Sequence, residues 1–350
     1  MAEEETTYTV QRVLNILGSS ATRGAVLSAE EAGSIPTAQR KATGTGKIQV
    51  RRWRRSDLPA FGAQFGFLKP LNGPLAVTVF TAKGGVLKTT LALNLARLAA
   101  LHNLRVCVLG LDLQADITTA LDLTPYVDDC ESLEEAIQIL GETQGLGEIY
   151  HQQLAVEDVL VDTDLPTLKA IPETPELAEI EDLLGKEIRR EMWLKENVVD
   201  QLKKSFDLVV MDCSPNWNLL VTNALAASDV VLCPLECKVH SYRNLTMLRG
   251  LLDKLQRALR CDFKQIFVPT LLSPTRKLSN HIRVHYSTNV PGCTVGYIRE
   301  NVKGEEAQCE RLSLPEYAPT SLVADEMREL IFEIWQRFGE AQKAGAERAA

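Results

Sequence analysis

A glycine-rich loop at residues 82–90 constrains the fold of this 350-residue chain more than any other feature. It follows an apolar run at 75–81, which predicts a buried strand, and leads into an amphipathic run at 88–101, which predicts a helix. A turn between a strand and a helix N-terminus presents backbone N–H groups and the positive end of the helix dipole. Such a turn suits polyphosphate, and the order strand, loop, helix indicates an α/β fold.

The side chains of the loop fit a nucleoside triphosphate and its metal. Lys88 is placed to reach the β- and γ-phosphates, and the Thr89 hydroxyl is placed to ligate Mg²⁺. The sequence therefore predicts ATP and Mg²⁺ as cofactors. The expected phosphate contacts come from Lys83, Gly84, Gly85, Val86, Leu87, Lys88, Thr89 and Thr90.

Three further charged residues agree with this site. Asp112 follows the apolar run 105–111, where a carboxylate can orient an attacking water. Asp212 ends another apolar run and is placed toward the Mg²⁺ shell. Lys83 is a second lysine five residues before Lys88, and we expect it to have no role within its own monomer's loop.

Apolar strands alternate with amphipathic helices after residue 75, which predicts a mostly parallel, doubly wound sheet flanked by helices. In such sheets, ligands bind outside the carboxyl ends of the strands. The predicted strands are 75–81, 105–111, 168–172, 208–212, 230–234, 266–271 and 293–298. The predicted helices are 88–101, 133–140, 188–204, 217–227, 241–259, 278–286 and 321–338.

The first 68 residues predict a small helical module that ends in a basic hairpin. Thr9 is placed to cap a first helix that stops at Gly18, and a second helix is predicted over 21–32. A short strand at 48–50 and a helix beginning at Ser56 complete the order of a winged helix-turn-helix. This order is similar to the DNA-binding domain of the MerR family. We therefore expect a module at 1–68, a linker at 69–74, a nucleotide-binding domain at 75–338 and a frayed tail at 339–350.

Basic residues are concentrated in two stretches, although the formal net charge is -8. Residues 1–70 carry ten Lys and Arg against six Asp and Glu, and a second basic stretch runs over 238–264 and on to 283. Basic clusters are the electrostatic footprint of nucleic-acid binding, and solvated surface is the alternative for both stretches. The candidate DNA contacts are Arg51, Arg52, Arg54, Arg55, Arg249, Arg257, Arg260 and Arg276.

Three segments together resemble the ParA/MinD family of deviant Walker ATPases. They are Lys-Gly-Gly-Val-x-Lys-Thr-Thr at 83–90, Leu-Asp-Leu-Gln at 111–114 and Asp-Cys-Ser-Pro at 212–215. The likeness covers about residues 75–338 and is greatest to ParA partition proteins.

The resemblance implies roles for individual residues. Lys83 would cross a dimer interface to the partner's phosphates and act in catalysis with Lys88 and Asp112, the last positioning the hydrolytic water. Asp212 would support Mg²⁺ through water beside Thr89. Arg299 and Asn301 fall in the segment that would lie beside the adenine base.

The resemblance also implies a function. In this family an ATP-bound homodimer binds DNA without sequence preference, and hydrolysis stimulated by a ParB-like adaptor or a cargo adaptor releases it. The cargo would be a plasmid, a chromosome or a protein cluster. The location would be cytoplasmic and nucleoid-associated, with no membrane partner.

Three positions depart from the family's pattern. Leu87 stands where phosphate loops have glycine, Gly110 replaces an aspartate just before the catalytic one, and Ser214 replaces a proline. Leu87 keeps its N–H but brings a side chain near the phosphates, so we expect slow hydrolysis. The same departure leaves open a second function, that of a weakly or non-hydrolysing DNA-binding transcriptional regulator.

Composition excludes other classes. No apolar run approaches the ~20 residues that span a bilayer, and the acidic N-terminus is unlike a secretory signal. A membrane-surface regulator like MinD is less favoured, because residues 340–344 have little apolar face. The eight cysteines, none in a CxxC pair, are expected to be reduced core residues. The pairs Cys233 with Cys237 and His281 with His285 lack a matching pair at zinc spacing.

Overall fold

Residues 6–43, 48–124, 132, 134, 141 and 143–349 are described by the computed structural model. At the N-terminus an antiparallel sheet in the order β1, β3, β2 accompanies three helices. Thr9 and Thr22 cap the first two helices through their side chains, and the cap at Thr9 was predicted. The elements are β1 (Thr7–Tyr8), α1 (Val10–Ile16), α2 (Arg23–Glu31), β2 (Gln39–Thr43), β3 (Ile48–Arg54) and α3 (Leu58–Phe65).

A seven-stranded sheet follows, and it confirms the predicted fold class. Its strands are β4 (Leu75–Val79), β5 (Val106–Leu111), β6 (Val161–Asp162), β7 (Leu168–Ile171), β8 (Leu208–Cys213), β9 (Val230–Glu236) and β10 (Lys264–Thr270). They lie in the order β10, β9, β4, β8, β5, β7, β6, and every neighbouring pair is parallel except β6 with β7. The β4, β5 and β8 strands therefore bring their carboxyl ends to one edge of the sheet.

Helices cover both faces of this sheet. They are α4 (Lys88–Leu101), α5 (Asp116–Ala120), α6 (Leu146–Tyr150), α7 (Leu177–Leu184), a π-helical turn (Lys195–Val199), α8 (Asp200–Ser205), α9 (Leu219–Ala227), α10 (Val239–Leu259), α11 (Lys277–Asn289), α12 (Val302–Cys309), α13 (Leu314–Tyr317) and α14 (Leu322–Ala349). Within β4, Val77 packs in the cluster that includes α4 and α14, whereas Ala76 packs in the cluster that includes α9 and α10. Burial on both faces explains why the strands are continuously apolar. The predicted helix 133–140 lies outside the described residues.

The N-terminal module shares a hydrophobic cluster with α4 and α14. The segment predicted as a linker is docked on α14: the Trp335 indole N–H donates to the Lys69 carbonyl at 2.8 Å, and the Gln342 amide donates to the Gly73 carbonyl at 2.8 Å. The predicted tail at 339–350 belongs to α14 as far as Ala349, and Gln342 within it makes one of these contacts.

Two other predicted elements are wrong in part. Residues 293–298 form no strand, because the Val295 and Gly296 N–H groups donate to the Glu333 carboxylate instead of extending the ladder beside β10. The helix predicted at 188–204 begins late, as a π-helical turn at Lys195–Val199, and Arg189 upstream has a left-handed φ of 59°. A left-handed residue interrupts an α-helix.

The described cysteines are free thiols. They are Cys107, Cys213, Cys233, Cys237, Cys261, Cys293 and Cys309. Five of them are fully buried, as expected for core residues, whereas Cys309 is exposed. Among the helices in the described part of the chain, none is long and apolar enough to cross a membrane.

Candidate functional site

The loop between β4 and α4 holds a row of uncommitted backbone N–H groups. Gly85 and Leu87 have left-handed φ values of 67° and 68°, which turn the chain into α4. The first helical hydrogen bond runs from Leu91 N to Leu87 O at 3.0 Å. Among the described residues, none accepts a hydrogen bond from the N–H groups of residues 84–90. This arrangement, at the positive end of a helix, is an anion cradle.

Lys88 places a buried charge within the cradle. Its side chain is 8% exposed, and its Nζ donates to the Lys83 carbonyl at 3.2 Å. Burial lowers the pKa of Lys88, while the charges of Asp212 and Asp112 oppose that shift. A phosphate group would complete the environment of this ammonium, because a charge-assisted hydrogen bond replaces the lost hydration.

Asp212 and Thr89 form a pair suited to a hydrated Mg²⁺. Asp212, at the end of β8, is 1% exposed, and the Thr89 side chain is near enough to lower its pKa against the effect of burial. Burial raises the pKa of Asp212 to about 7. Its Oδ1 is buried and has no partner among the described residues. An orphaned carboxylate oxygen beside a hydroxyl, at the foot of an anion cradle, fits the oxygen ligands and bound waters that Mg²⁺ prefers.

Asp112 lies just beyond the end of β5, and β8 separates that strand from β4, which leads into the loop. It is partly exposed, and its Oδ1 accepts from the Gln114 N–H at 3.2 Å. It borders a cavity of about 300 Å³ that Glu181 and Asn218 also line. The carboxylate is therefore reachable by water, as a group that orients an attacking water must be.

Lys83 has a partner within its own chain, outside the loop, that the sequence did not predict. Its Nζ forms an ion pair with the Glu236 carboxylate and lies 3.3 Å from the Ser241 hydroxyl. Glu236, at the end of β9, is 5% exposed. Burial raises the pKa of Glu236, but hydrogen bonds from Lys238, Lys83 and Ser241 prevail and lower it to about 2.

Sequence reasoning missed Glu236. The available signal was its place at the carboxyl end of an apolar run, which is the same signal that singled out Asp112 and Asp212.

A second cavity, of about 490 Å³, lies beside the loop where the base of a nucleotide was expected. Leu87, Thr90, Arg299, Asn301 and Met327 are among its lining residues. The side chains of the two predicted base contacts are committed within the chain. Arg299 forms a bidentate ion pair with Glu326, and the Asn301 side chain caps α12 by accepting from the Gly304 N–H at 2.7 Å.

Leu87 turns its side chain away from the anion cradle. It packs against the cluster that contains Ile298, Leu314 and Met327, and it lines the base-side cavity with them. A left-handed conformation costs a leucine about 1–2 kcal/mol, so this apolar contact offsets a strain that glycine would not have. The loop therefore keeps its open N–H groups despite the substitution.

The N-terminal arginines differ in what they contact. Arg51 pairs with Glu30 at 3.1 Å, and Arg54 is exposed. Arg52 is partly buried and donates to the Thr7 carbonyl at 3.3 Å. Arg55 is held by Asp164 at 2.6 Å and by the Tyr8 hydroxyl at 3.0 Å, with a quarter of its side chain exposed. The geometry therefore disfavours Arg55 as a DNA contact, because its guanidinium is bound inside the protein.

The second basic stretch is mostly open. Arg257, Arg260 and Arg276 are exposed, whereas Arg249 is partly buried with its guanidinium 5.9 Å from the centre of the Phe267 ring. Arg257 and Arg260 lie at the C-terminal end of α10, and Arg276 lies at the start of α11.

Comparison with known proteins identifies relatives of this chain. Residues 75–265 match the family model AAA_31, described as an AAA domain. The chromosome partitioning protein ParA of Myxococcus xanthus is 30% identical over 191 residues, which are 54% of this chain and 61% of that protein. The sporulation initiation inhibitor protein Soj of Bacillus subtilis is 30% identical over 186 residues, which are 53% of this chain and 68% of that protein.

A solved structure agrees with the fold. The putative plasmid partition protein of Borrelia burgdorferi, bound to AMPPNP, has a TM-score of 0.57 and 21% identity. The similarity covers 74% of this chain and 98% of that one.

Proposed function

Because the chain belongs to the family of ParA and Soj proteins, we propose that it is an ATP-switched partition or positioning ATPase. The observation that carries this proposal is the cradle of free N–H groups at residues 84–90, with Lys88, Asp112 and Asp212 around it. A loop of this kind binds polyphosphate, and the two carboxylates supply what hydrolysis needs.

The roles follow from position. The N–H groups and Lys88 hold the phosphates, Thr89 and Asp212 hold a hydrated Mg²⁺, and Asp112 orients the attacking water. Bound Mg²⁺ neutralises phosphate charge. Arg299 and Asn301 shape the base-side cavity through the backbone that their side chains fix. ATP-bound dimers then bind DNA, and hydrolysis stimulated by a ParB-like or cargo adaptor releases them from the nucleoid.

We assign two DNA-binding surfaces. Residues 1–68 form a winged helix-turn-helix-like module that reads a specific site through α2 and the hairpin of β2 and β3, with Arg51, Arg52 and Arg54 as contacts. The exposed Arg257, Arg260 and Arg276, with Arg249, bind DNA of any sequence in the ATP state. Both interactions weaken with salt, because phosphate contacts release counterions.

A weakly or non-hydrolysing transcriptional regulator is the second candidate, and Leu87 together with the N-terminal module favours it. Replacing Leu87 with glycine separates the two. We expect slow turnover in the wild type, because in-line attack requires sub-ångström placement. Leu87→Gly should raise turnover several-fold with ATP affinity within about threefold, since the side chain already points away from the cradle. Phosphate release and nucleotide titration measure both.

Leu87→Ala is the control, because it removes the side chain and keeps the backbone strain. A wild type that binds no ATP, with binding restored by Leu87→Gly, would favour the regulator. Equal turnover of wild type and Leu87→Gly would show that Leu87 does not limit hydrolysis.

A Lys83→Ala variant tests whether ATP drives formation of a homodimer in which Lys83 reaches the partner's phosphates. In this chain Lys83 is paired with Glu236, so it must leave that carboxylate to reach a partner's phosphates. We expect Lys83→Ala to bind ATP within a few-fold of wild type and to stay monomeric with ATP and Mg²⁺ in light scattering. Lys238→Ala is the matched control, because Lys238 pairs with the same carboxylate, and it should dimerise. A Lys83→Ala protein that dimerises and turns over ATP like wild type would refute the role.

A further inference from the structure

At the carboxyl edge of the sheet, the Glu173 side chain fills the space beside Gly110. Gly110 lies in β5, opposite Asp212 of β8, and Glu173 follows β7 on the other side. A Cβ built on Gly110 would stand 2.1 Å from Glu173 Cδ and 2.5 Å from its Oε1. The glutamate carboxyl group therefore fills the position that a side chain at residue 110 would take.

The two oxygens of Glu173 have different surroundings. Oε2 accepts from the Thr118 N–H at 3.0 Å and from the Thr118 hydroxyl, and this anchors α5. Oε1 is buried and has no partner among the described residues, in a residue that is 6% exposed. Asp212 Oδ1 is orphaned in the same way. These two buried carboxylate oxygens lie on either side of β5, and leaving both unpaired is costly unless a cation or water joins them.

The charges of the three acids act on one another. Burial raises the pKa of Glu173 to about 7, hydrogen bonds from Thr118 oppose this, and the charge of Asp112 adds to it. The charge of Glu173 in turn contributes to the raised pKa of Asp212. Glu173 therefore lies within electrostatic reach of the expected Mg²⁺ ligand and of the expected hydrolytic carboxylate.

We propose that Glu173 is a positioning residue of the Mg²⁺ site, supplying from β7 the carboxylate that β5 lacks at Gly110. By binding Thr118, Oε2 fixes the segment that follows Asp112. Oε1 accepts a hydrogen bond from a water of the Mg²⁺ shell beside Asp212. This inference rests on the proposed function, because it assigns a residue to the metal of the same nucleotide site.

The test measures Mn²⁺ affinity by electron paramagnetic resonance on the full chain saturated with ATP. Glu173→Gln keeps an oxygen for Thr118 and removes the charge, so we expect Mn²⁺ to bind about tenfold to 100-fold more weakly, with the melting temperature kept. Thr118→Val is the control for anchoring alone and should weaken Mn²⁺ binding less than Glu173→Gln does.

A swap of the carboxylate makes the test specific. Gly110→Asp alone should lower the melting temperature, because two carboxyl groups would share one space. Gly110→Asp with Glu173→Ala returns the carboxylate to β5. This double variant should regain Mn²⁺ affinity to within about threefold of wild type, which is less than the tenfold or greater loss expected when that carboxylate is missing.

Three results would overturn the proposal. The first two are an unchanged Mn²⁺ affinity in Glu173→Gln and a folded double variant that regains no Mn²⁺ affinity. Mn²⁺ loss in Thr118→Val as large as in Glu173→Gln would also overturn it, since anchoring would then account for the effect. A wild type that binds no ATP would instead defeat the proposed function itself.

Discussion

Replacing Arg97 with leucine is expected to lower the free energy of unfolding by about 3–5 kcal/mol, because it leaves a buried carboxylate without its counter-charge. Arg97 lies in α4 and is 1% exposed. Its guanidinium binds Glu316 at 2.7 and 2.8 Å and Asp164 at 2.8 and 2.9 Å. Glu316 is also 1% exposed, so water cannot replace the lost arginine.

This ion network joins the N-terminal module to the nucleotide-binding domain. Asp164 is shared by Arg97 and Arg55, and the Arg12 side chain donates to the Glu316 carbonyl at 3.4 Å. The loss of Arg97 should therefore loosen the contact between α4 and the module, as well as destabilise the fold.

The effect should depend on pH in a definite direction. Burial raises the pKa of Glu316, but Arg97 prevails and lowers it below its ordinary value. In the wild type, this ion pair stabilises the fold at pH values above the pKa that the glutamate has in the unfolded chain. That stabilisation is lost as the pH falls through the lowered pKa of the folded state. Without Arg97, burial and the charge of Asp164 both raise the pKa of Glu316, and only the hydrogen bonds from Ser313 oppose them, so the ionised carboxylate is penalised as pH rises. The difference between the two proteins should thus grow from pH 5 to pH 8.

Urea unfolding at these two pH values measures the effect. Arg105→Leu is the matched control, because Arg105 is 61% exposed in its pair with Asp207, and such pairs contribute about 0–1 kcal/mol. If Arg97→Leu cost no more than this control, the buried network would not be a determinant of stability.

The sequence was most informative where local signals agree with the sheet. Apolar runs ending in Asp112 and Asp212 predicted two strands, and the loop before Lys88 predicted the cradle, because each signal lies within a few residues. Lys83 shows the opposite case. Its ion pair with Glu236 depends on β9 and β4 being neighbours in the sheet, which no local pattern encodes.

Contacts between residues far apart in the chain also explain where the sequence-based predictions were wrong or incomplete. Residues 293–298 have the pattern of a strand, and the Thr294 and Ile298 N–H groups do donate to β10, but Glu333 of the distant α14 accepts from the Val295 and Gly296 N–H groups between them. Gly110 was recognised as a departure, yet the carboxylate that fills its space comes from Glu173, beyond β7. The sequence shows that Leu87 is unusual for a phosphate loop, but the orientation of its side chain depends on the apolar cluster that contains Met327 and Leu314.

Calorimetric titration of ATP with Mg²⁺ into the wild type and Lys88→Ala tests the nucleotide site most directly. Lys88 is the buried cation of the cradle, and a hydrogen bond to a charged group contributes about 1.5–3 kcal/mol. We therefore expect the wild type to bind ATP and Lys88→Ala to lose about tenfold to 100-fold in affinity. The fold should be kept, because removing a buried lysine removes a desolvated charge. Lys169→Ala, on the surface of β7, should bind like wild type. Equal ATP affinity in wild type and Lys88→Ala would contradict the assignment of residues 83–90 as the phosphate site.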